Sequence, residues 1–510
     1  MDQVSSIRGI RASRIHTLVP HVSPDTEALA MTWLIVSHAT VRKALHCAET
    51  LHIKFIPAGQ LRRRDWQDER TVSSEQLESR GYLFLDCGGG RFDQHVLPDA
   101  VSENKTASLH LLLDELNARA EDLHDADRKE LQQLLKIMEG VFLVICRNDL
   151  TGEDIAPRSL DAKPEGTAQP QGSEGLVQDM LQELTAVTPV EGETSVQRTE
   201  VADPTPYTTR HLRNMILGWN SLYPENPEKV FALASVAFGA IEQNVRMLYE
   251  DPEDVQDFDM RKLFRVEEIL LGTEAHFAAT LPGASEGRIA HEARTFAAQA
   301  EKSLREMERQ WHMAVGDYWS KTTGGRTIEM LPQVEGKKRR EVAVLFGRSE
   351  SQRFGAVARR GNSESYDWKS RKATGPRPEP KQPRRPKADV VIQMYGRGLF
   401  VISSVNGIRL DRVAMVLREA DLRRQGVEIT QTVKAQLSSP GNFVYKNRAG
   451  DFVHAIYFTN YRGAVGNYFR ANPYSPASVL HEAAIRDLVV ATLTSHYGVD
   501  ASDIVRDYMG

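Results

Sequence analysis

The sequence predicts an α/β protein in which a parallel-sheet domain comes first, followed by a helical block and a smaller α+β C-terminal domain. Over residues 1–150, short apolar segments of strand character alternate with helical periodicity, which is typical of a parallel sheet. Helical patterns then continue without strands over residues 208–335, and strand-like segments return after residue 336. A chain of 510 residues also exceeds what one hydrophobic core supports, so several domains are expected.

The first domain, residues 1–150, is predicted to alternate strands with helices. Segments of strand character lie at residues 15–19, 53–57, 82–85 and 141–146. Segments with the apolar spacing of helices lie at residues 26–39, 106–118 and 127–138. Residues 141–146 form a continuous apolar run, which buried parallel strands show.

The middle of the chain divides by composition. Residues 151–207 are rich in Pro, Gly, Ser, Thr and Glu, and we predict a flexible polar connector there. Residues 208–335 carry helical patterns and form the predicted helical region. Residues 336–388 are basic and Pro-rich, with one short strand at residues 342–346.

The last domain, residues 389–510, is predicted to be α+β. A strand pair turns at the Gly396-Arg397-Gly398 tripeptide, and a further strand and two helices follow. The predicted strands lie at residues 390–394, 399–403 and 452–458, and the predicted helices at residues 410–424 and 478–496.

Composition excludes several classes of protein. Cys47, Cys87 and Cys146 lie far apart and have no zinc-ligand spacing, which argues against a disulfide scaffold and predicts a cytoplasmic location. No run approaches about 18 uninterrupted apolar residues, so we expect no membrane partner. The first ten residues lack the apolar core of a signal peptide. The net charge of −5 does not by itself indicate a nucleic-acid-binding protein.

Acidic and histidine side chains follow the predicted strands of the first domain. Because the carboxyl ends of parallel strands meet at one edge of a sheet, we expect these side chains to converge there. Carboxylates and imidazoles are ligands of divalent metals. The series comprises His21, Asp25, Glu27, Asp86, Asp93, Gln94, His95 and Asp149.

An alternative interpretation of each group needs no ion. Asp25 stands where a helix begins and is a suitable N-cap residue. Asp86 precedes three glycines and suits a turn, and Asp149 suits a cap at the following residues. The order of the four groups, each placed after a predicted strand, favours a metal site over four separate coincidences.

These residues resemble the Asp-His-His phosphoesterase superfamily, which includes exonucleases, oligoribonucleases and manganese-dependent pyrophosphatases. Its first motif, His-x-Asn/Ser-Pro-Asp-x-Asp, is matched by His21, Asp25 and Glu27, with Glu in the last place. Asp86 matches the second motif, a single strand-end Asp that bridges two metals in that superfamily. The third motif, Asp-His-His, is matched by Asp93-Gln94-His95, and Asp149 matches the lone Asp of the fourth.

A narrower resemblance is to the melanocyte-proliferating-gene family and its bacterial relatives. The segment from Asp86 to Asp93 is similar to that family's Asp-Val-Gly-Gly followed by Phe/Tyr-Asp-His-His. The Thr106-Ala107-Ser108-Leu109 segment is similar to the small-residue helix start behind the third motif, and Leu217-Gly218-Trp219-Asn220 to a Leu-Asn-Pro-x-Trp-Asn segment. Residues 389–393 and 410–419 are similar to the C-terminal part of the bacterial relatives.

The resemblance implies a metal-dependent phosphodiesterase. Mn²⁺ or Mg²⁺ would be held, as one or two ions, by His21, Asp25, Glu27, Asp86 and Asp149. Asp86 and His95 would be catalytic, with His95 facing the substrate phosphate. Asp93, Gln94, His95 and Arg397 are the candidate substrate contacts. Gln94 departs from the family, where a metal-binding His stands, and an amide is a poorer ligand than imidazole.

The implied substrate is single-stranded RNA or DNA, so we expect a nuclease of the exonuclease type. The basic segment from residue 337 to 387 can follow a phosphate backbone, although a solvated linker explains it equally well. The alternative hypothesis is a catalytically degenerate protein that binds a nucleotide or nucleic acid or serves as a scaffold. Hydrolysis of a small phosphorylated molecule, a homodimer, and a protein partner bound through the inserted segments are left open by the sequence.

Overall fold

The computed structural model shows a mixed α/β protein. It describes residues 14–56, 74–93, 107–151, 210–250, 258–320, 322–331, 339–360, 364–367, 372–376, 388–396, 398–404, 408–438, 443–459, 464–466, 477–495 and 499–509.

A three-stranded parallel sheet opens the fold. Strands β1 (Ile15–Pro20), β2 (Cys47–Ile53) and β3 (Tyr82–Leu85) are ordered β2-β1-β3. Leu18 of β1 lies opposite Ile53 of β2 and Leu83 of β3. The first and third predicted strands are thus confirmed. The strand predicted at residues 53–57 is displaced: the strand there ends at Ile53, and Ile56 makes only an isolated bridge to His21.

Helices cover this sheet. They are α1 (Thr26–Ser37), α2 (Ala39–Ala44), α3 (Ser74–Glu78), α4 (Ser108–Ala120) and α5 (Asp125–Thr151). Helix α1 is buried on nearly every side, which agrees with its run of apolar residues.

The strand predicted at residues 141–146 is wrong, because these residues continue helix α5. Its buried apolar residues recur every three or four positions, which is the period of one helix face. Among breaker residues only Gly140 separates them from the preceding helical pattern, and a single glycine is tolerated inside a helix. The buried apolar residues of this helix are Leu131, Leu134, Ile137, Met138, Val141, Phe142, Ile145 and Cys146. The apolar run was therefore one face of a long helix.

The helical block is present, but it ends earlier than predicted: residues 322–330, inside the predicted range of 208–335, form a strand. The block consists of α6 (Leu212–Leu222), α7 (Pro227–Glu250), a short 3₁₀ helix (Met260–Phe264), α8 (Val266–Thr280) and α9 (Glu286–Ser320).

The helical block shares one hydrophobic core with the parallel sheet. The rings of Trp33 in α1 and Phe238 in α7 lie 5.5 Å apart inside it. Helices α6 and α9 approach closely at Gly218, where a Cβ atom would stand 2.3 Å from the carbonyl oxygen of Ser303. The Ser303 hydroxyl donates a 2.6 Å hydrogen bond to the carbonyl oxygen of Met215. The block is thus fixed against the first sheet by apolar packing.

Ten further strands follow in the C-terminal half of the described chain. They are β4 (Thr322–Met330), β5 (Arg340–Arg348), β6 (Glu364–Asp367), β7 (Lys372–Pro376), β8 (Val390–Gly396), β9 (Leu399–Ser404), β10 (Val444–Lys446), β11 (Phe452–His454), β12 (Tyr457–Thr459) and β13 (Ala464–Gly466). Six of these strands form one mixed sheet in the order β12-β13-β9-β8-β5-β4. The remaining four form two antiparallel pairs, β6 with β7 and β10 with β11.

Five helices accompany these strands. They are α10 (Phe354–Arg360), α11 (Asp411–Arg424), α12 (Gln431–Leu437), α13 (Glu482–Thr494) and α14 (Ala501–Met509). The predicted strand at 342–346, the strand pair β8–β9 and helix α11 are confirmed. Strand β5 pairs in parallel with β8, so the strand of the basic segment belongs to the C-terminal sheet.

Two predictions in this half need correction. Residues 452–458 form two short strands, β11 and β12, that belong to different sheets. The last predicted helix begins later, at Glu482, because Ser478 and Val479 bind the buried carboxylate of Asp421. The Pro-rich run after Pro376, up to residue 387, lies outside the described residues, as does the connector after Thr151.

A buried arginine joins three segments of the C-terminal domain. Arg418 in α11 is fully buried. Its guanidinium donates hydrogen bonds to the carbonyl oxygen of Ile456 at 2.6 Å and to that of Leu437 at 2.8 Å. The rings of Phe443 and Phe458 lie 5.5 and 5.8 Å from its central carbon. Hydrogen bonds and ring faces together offset the desolvation of this charge.

Within the described part of the chain, no helix is both long enough and apolar enough to cross a membrane.

Candidate metal centre

The carboxyl ends of β1 and β3 bring two candidate ligands side by side. His21 directly follows β1, and Asp86 directly follows β3. The two strands are parallel neighbours, with Pro20 opposite Leu85 in the register. Strand β1 is the central strand, with β2 on one side of it and β3 on the other, so the direction of the connections reverses at β1. Ligands of open α/β sheets bind at such a switch point.

Asp25 is placed by the start of helix α1. Its Oδ1 accepts hydrogen bonds from the backbone N–H groups of Glu27 and Ala28, both at 3.0 Å. Asp25 is therefore the N-cap residue of α1, as the interpretation without an ion predicts, and this role uses only Oδ1. The other oxygen, Oδ2, lies 4.0 Å from Nε2 of His21. Asp25 thus caps the helix through one oxygen and faces His21 with the other.

His21, Asp25 and Asp86 form one compact group of ligand atoms. Oδ2 of Asp86 lies 3.7 Å from Nε2 of His21. One ligand atom from each of the three residues lies within 4.8 Å of the other two. His21 and Asp86 are buried, and Asp25 is partly exposed. We call the space between these three side chains the pocket, and solvent reaches it at Asp25.

The backbone at Asp86 adopts a conformation that L residues rarely take. Its φ angle is +56°, and Gly88 and Gly89 both have φ angles of +72°. The loop closes where the N–H of Asp86 donates to the carbonyl oxygen of Phe92 at 3.0 Å. Aspartate tolerates the left-handed region better than most residues, although the conformation still costs free energy. Strain of this kind is common at functional sites.

Helix α4 contributes two donors to the carboxylates around the pocket. The hydroxyl of Ser108 donates a 2.8 Å hydrogen bond to Oδ1 of Asp86. The N–H of Leu109 donates a 2.6 Å hydrogen bond to Oε1 of Glu27. The positive end of a helix dipole favours negative charge at this position. The first turn of α4 therefore fixes the orientation of both acids.

Asp93 supports the loop that carries Asp86. It is buried, and its Oδ2 accepts the N–H of Gly89 at 2.8 Å. Its negative charge contributes to the potential at His21. Cys87 lies in the same loop but turns away, because its thiol donates to the carbonyl oxygen of Val19 at 3.0 Å.

The surroundings of His21 favour a positive charge. Burial lowers the pKa of His21, but the contact with Asp86 and the charges of Asp25, Asp86 and Asp93 outweigh burial, so the pKa is raised. Nδ1 of His21 is buried and has no hydrogen-bond partner among the described residues. The pocket thus concentrates negative charge around Nε2, the ring nitrogen that faces both carboxylates.

The donor set fits a divalent cation. Carboxylates and imidazole are both ligands of divalent metals in proteins. Oxygen ligands lie about 2.0–2.6 Å from such ions, so an ion fits among ligand atoms that lie within 4.8 Å of one another. The two negative charges of Asp25 and Asp86 balance those of one divalent ion. The sequence prediction of a metal site is compatible with this geometry.

The remaining predicted site residues are distributed differently. Glu27 is buried, and its carboxylate binds the backbone of α4 and is not part of the three-residue group. Asp149 was expected at a strand end, but its backbone lies in the last turn of helix α5, and its side chain lies outside the described residues. Gln94, His95 and Arg397 also lie outside the described residues, so their predicted roles stay predictions.

Two contacts around the pocket have no clear signal in the sequence. Ser108 belongs to a helix start that the resemblance marks, but its bond to Asp86 depends on how α4 packs. The side-chain amide of Asn220 in α6 donates a 2.9 Å hydrogen bond to the carbonyl oxygen of Pro24. The donor and acceptor are 196 positions apart, which no local pattern reveals.

Comparison of the chain with protein-family models, with curated proteins and with solved structures found no match.

Proposed function

We propose that this chain is a metal-dependent phosphodiesterase that hydrolyses single-stranded RNA or DNA. The observation that supports it is the convergence of His21, Asp25 and Asp86 at the carboxyl ends of β1 and β3. A bound divalent cation would supply a water of lowered pKa and polarise a phosphoryl oxygen. The cation would be Mn²⁺ or Mg²⁺.

The described residues would perform the binding and orientation that such a reaction needs. Asp25 and Asp86 would hold the ion through Oδ2, while their Oδ1 atoms keep the hydrogen bonds that orient them. His21 would complete the ligand set through Nε2. His95 would face the substrate phosphate, as the resemblance to the Asp-His-His phosphoesterases implies. Location in the cytoplasm is part of the same proposal.

A second candidate function is a degenerate protein that binds nucleotide or nucleic acid without cleaving it. The observation that favours it is the position of Glu27, which lies outside the group of three ligand residues and whose Oε1 accepts the N–H of Leu109 at 2.6 Å. Gln94 also replaces the metal-binding His of the resembled superfamily. If the site is a weakened enzyme, Gln94→His should raise cleavage. If the site has adapted to Gln, the substitution should leave cleavage unchanged or lower it.

The deciding experiment is hydrolysis of end-labelled single-stranded RNA and DNA with Mn²⁺. We would compare the wild type with Asp25→Asn and Asp86→Asn, which preserve the shape of each side chain. Asp259→Asn is a matched control, because Asp259 also caps a helix, by accepting the N–H of Arg261, but is not part of the pocket. Cleavage that requires Mn²⁺ and is lost only in the two pocket variants supports the nuclease. Absence of wild-type cleavage, together with tight binding of the same strands, would favour the second candidate.

A further inference from the structure

The β10–β11 hairpin of the C-terminal domain turns one face toward solvent. Its register pairs Val444 with His454 and Lys446 with Phe452, and side chains directly opposite each other in an antiparallel pair lie on the same face. We call these four residues the outer face. Phe452 is 65% exposed, Val444 is 46% exposed, and Lys446 is exposed as well. The outer face thus displays an aromatic ring, an aliphatic side chain and a cation on the surface.

The opposite face fixes the hairpin to the domain. Tyr445 and Val453 lie opposite each other there and pack against a buried apolar cluster that includes Leu422 and Leu437. The Tyr445 hydroxyl donates a 3.2 Å hydrogen bond to Oε1 of Gln436 in α12. The outer face is therefore preformed, so a ligand that binds it does not have to order the hairpin first.

The turn between the two strands is fixed as well. The N–H of Arg448 donates a 2.9 Å hydrogen bond to the carbonyl oxygen of Gly426, which follows the end of α11. The side chain of Arg448 is exposed. Because this turn joins Lys446 to Phe452, it holds the backbone of Arg448 close to that pair.

Positive charge dominates the tip of the hairpin. The Nζ atom of Lys446 lies 5.3 Å from the centre of the Phe452 ring. Within the described part of the chain, neither Lys446 nor Arg448 forms an ion pair. Asp451 is the one acid in residues 443–455, and it accepts a 3.4 Å hydrogen bond from the side-chain amide of Asn447. Two cations and one acid leave a net positive charge here, in a chain whose net charge is −5.

Single-stranded nucleic acid is the occupant whose chemistry matches this face. An exposed ring stacks on any base, and cations beside it bind the phosphates of the backbone. A stable protein partner instead buries about 800 Å² on each side, around an apolar centre from which lysine is depleted. Two exposed apolar side chains with cations between and beside them do not provide such a centre.

We propose that the outer face and the turn of the β10–β11 hairpin bind single-stranded nucleic acid, with Phe452 stacking on a base and Lys446 and Arg448 contacting the neighbouring phosphates. The inference rests on the proposed function, since it assigns a contact surface to the same class of substrate. The hairpin and the candidate metal centre belong to different domains, so binding at one and cleavage at the other can be measured separately.

Fluorescence anisotropy of a short labelled oligothymidylate tests the stacking, with EDTA present to prevent cleavage by metal. We expect Phe452→Ala to weaken binding by the full-length protein about tenfold, as loss of one base–aromatic stack does. Phe452→Tyr keeps a ring and should restore most of the affinity. An abasic strand of the same length has no base to stack, so it should bind the wild type and Phe452→Ala equally. Tyr508→Ala is the matched control, because Tyr508 is an exposed aromatic residue on α14, outside the hairpin.

The salt dependence of the same binding tests the two cations. Each phosphate contact of a single strand contributes about −0.7 to the slope of the logarithm of the association constant against the logarithm of salt concentration. Lys446→Gln and Arg448→Gln should each make that slope shallower by about 0.7. Arg486→Gln should leave it unchanged, because Arg486 is exposed but already pairs with Asp487 at 2.9 Å.

Equal oligothymidylate affinities for the wild type and Phe452→Ala, with both folded by circular dichroism, would overturn the proposal and leave cleavage at the metal centre untouched. A wild-type dimer that Phe452→Ala dissociates in sedimentation analysis would assign the outer face to a second copy of the chain and overturn it as well. Conversely, a wild type that binds as expected but cleaves no strand with Mn²⁺ would support the hairpin surface and remove the proposed nuclease.

Discussion

The side-chain amide of Asn220 donates a hydrogen bond to the carbonyl oxygen of Pro24, the residue immediately before Asp25. Asn220 belongs to helix α6, and Pro24 to the loop that carries both His21 and Asp25. Asn220 is nearly fully buried, so no water can substitute easily for it. The helical block therefore holds the loop of the candidate metal centre in place.

We expect Asn220→Ala to weaken Mn²⁺ binding by about tenfold, because the His21–Asp25 loop loses its anchor. The free energy of unfolding should fall by about 1–3 kcal/mol, since a buried carbonyl oxygen loses its donor. Asn244→Ala is the control: Asn244 is similarly buried and donates to the carbonyl oxygen of Glu268 in the helical block. Calorimetry and urea unfolding measure the two effects. A similar loss of Mn²⁺ affinity in both variants would refute the anchoring role.

Asp86→Asn and Asp86→Ala should differ in stability although both remove the charge. Asparagine adopts positive φ angles readily, and its amide oxygen can still accept the Ser108 hydroxyl. Alanine has neither property, so we expect it to lower the free energy of unfolding by about 1–2 kcal/mol more than asparagine does. Both variants should lose Mn²⁺ binding. Equal urea midpoints for the two variants would contradict the left-handed conformation of Asp86.

The buried carboxyl of Asp421 should make stability depend on pH. Burial raises its pKa and outweighs the hydrogen bonds from Ser478, Val479 and Gln425, which lower it. The pKa of an aspartate in an unfolded chain is about 3.9, and the carboxyl of Asp421 in the native protein keeps its proton to higher pH. The native state therefore binds more protons between the two pKa values, and this contribution to stability is lost as pH rises through that window.

Asp421→Asn should remove this loss of stability with rising pH, because an amide does not ionise. Its oxygen can still accept hydrogen bonds from Ser478 and Val479. Above the window we expect the variant to be more stable than the wild type by on the order of 1 kcal/mol, the free energy of one pKa unit. Urea unfolding across the acidic to neutral range measures the difference. Asp503→Asn is the control, because Asp503 on α14 is about half-exposed and its carboxylate pairs with Arg506 at the surface. A constant stability difference between wild type and Asp421→Asn at all pH values would count against the assignment.

The thiols of the native protein should react slowly. All three cysteines are buried, and burial raises the pKa of Cys47 to about 11. Burial, with the charges of Asp93 and Asp86, also raises the pKa of Cys87. Reactivity requires the thiolate, so a disulfide reagent at neutral pH should modify none of the three rapidly. All three should react once the chain is unfolded. Rapid modification of one native thiol would show that its surroundings differ from the structure.

The strand ends of the candidate site could be predicted from the sequence because short apolar runs stop there at polar residues. His21 and Asp86 both directly follow such a run, and the parallel pairing of β1 with β3 brings them together. The strand prediction for residues 141–146 failed because this apolar run belongs to a longer pattern. A short apolar run has no period of its own, and the helix appears only when the spacing is followed back to Leu131.

The contacts that orient the ligands could not be predicted, because they depend on tertiary packing. Glu27 occupies the place of a metal ligand in the sequence motif, yet its oxygen accepts the N–H of Leu109, 82 positions away. The Ser108–Asp86 bond spans 22 positions. Both contacts depend on the packing of helix α4 beside the loop after β3, so local sequence patterns do not predict them.

The buried guanidinium of Arg418 bears on how the chain can be divided for expression. A fragment that ends before Ile456 would retain Arg418 in a partly formed interior and lack both the Ile456 carbonyl oxygen and the Phe458 ring. An interior cation that loses one of its two carbonyl acceptors and a covering ring is strongly destabilising. Soluble fragments of the C-terminal domain should therefore extend beyond the strand that contains Phe458, and earlier stop sites should give insoluble or protease-sensitive material.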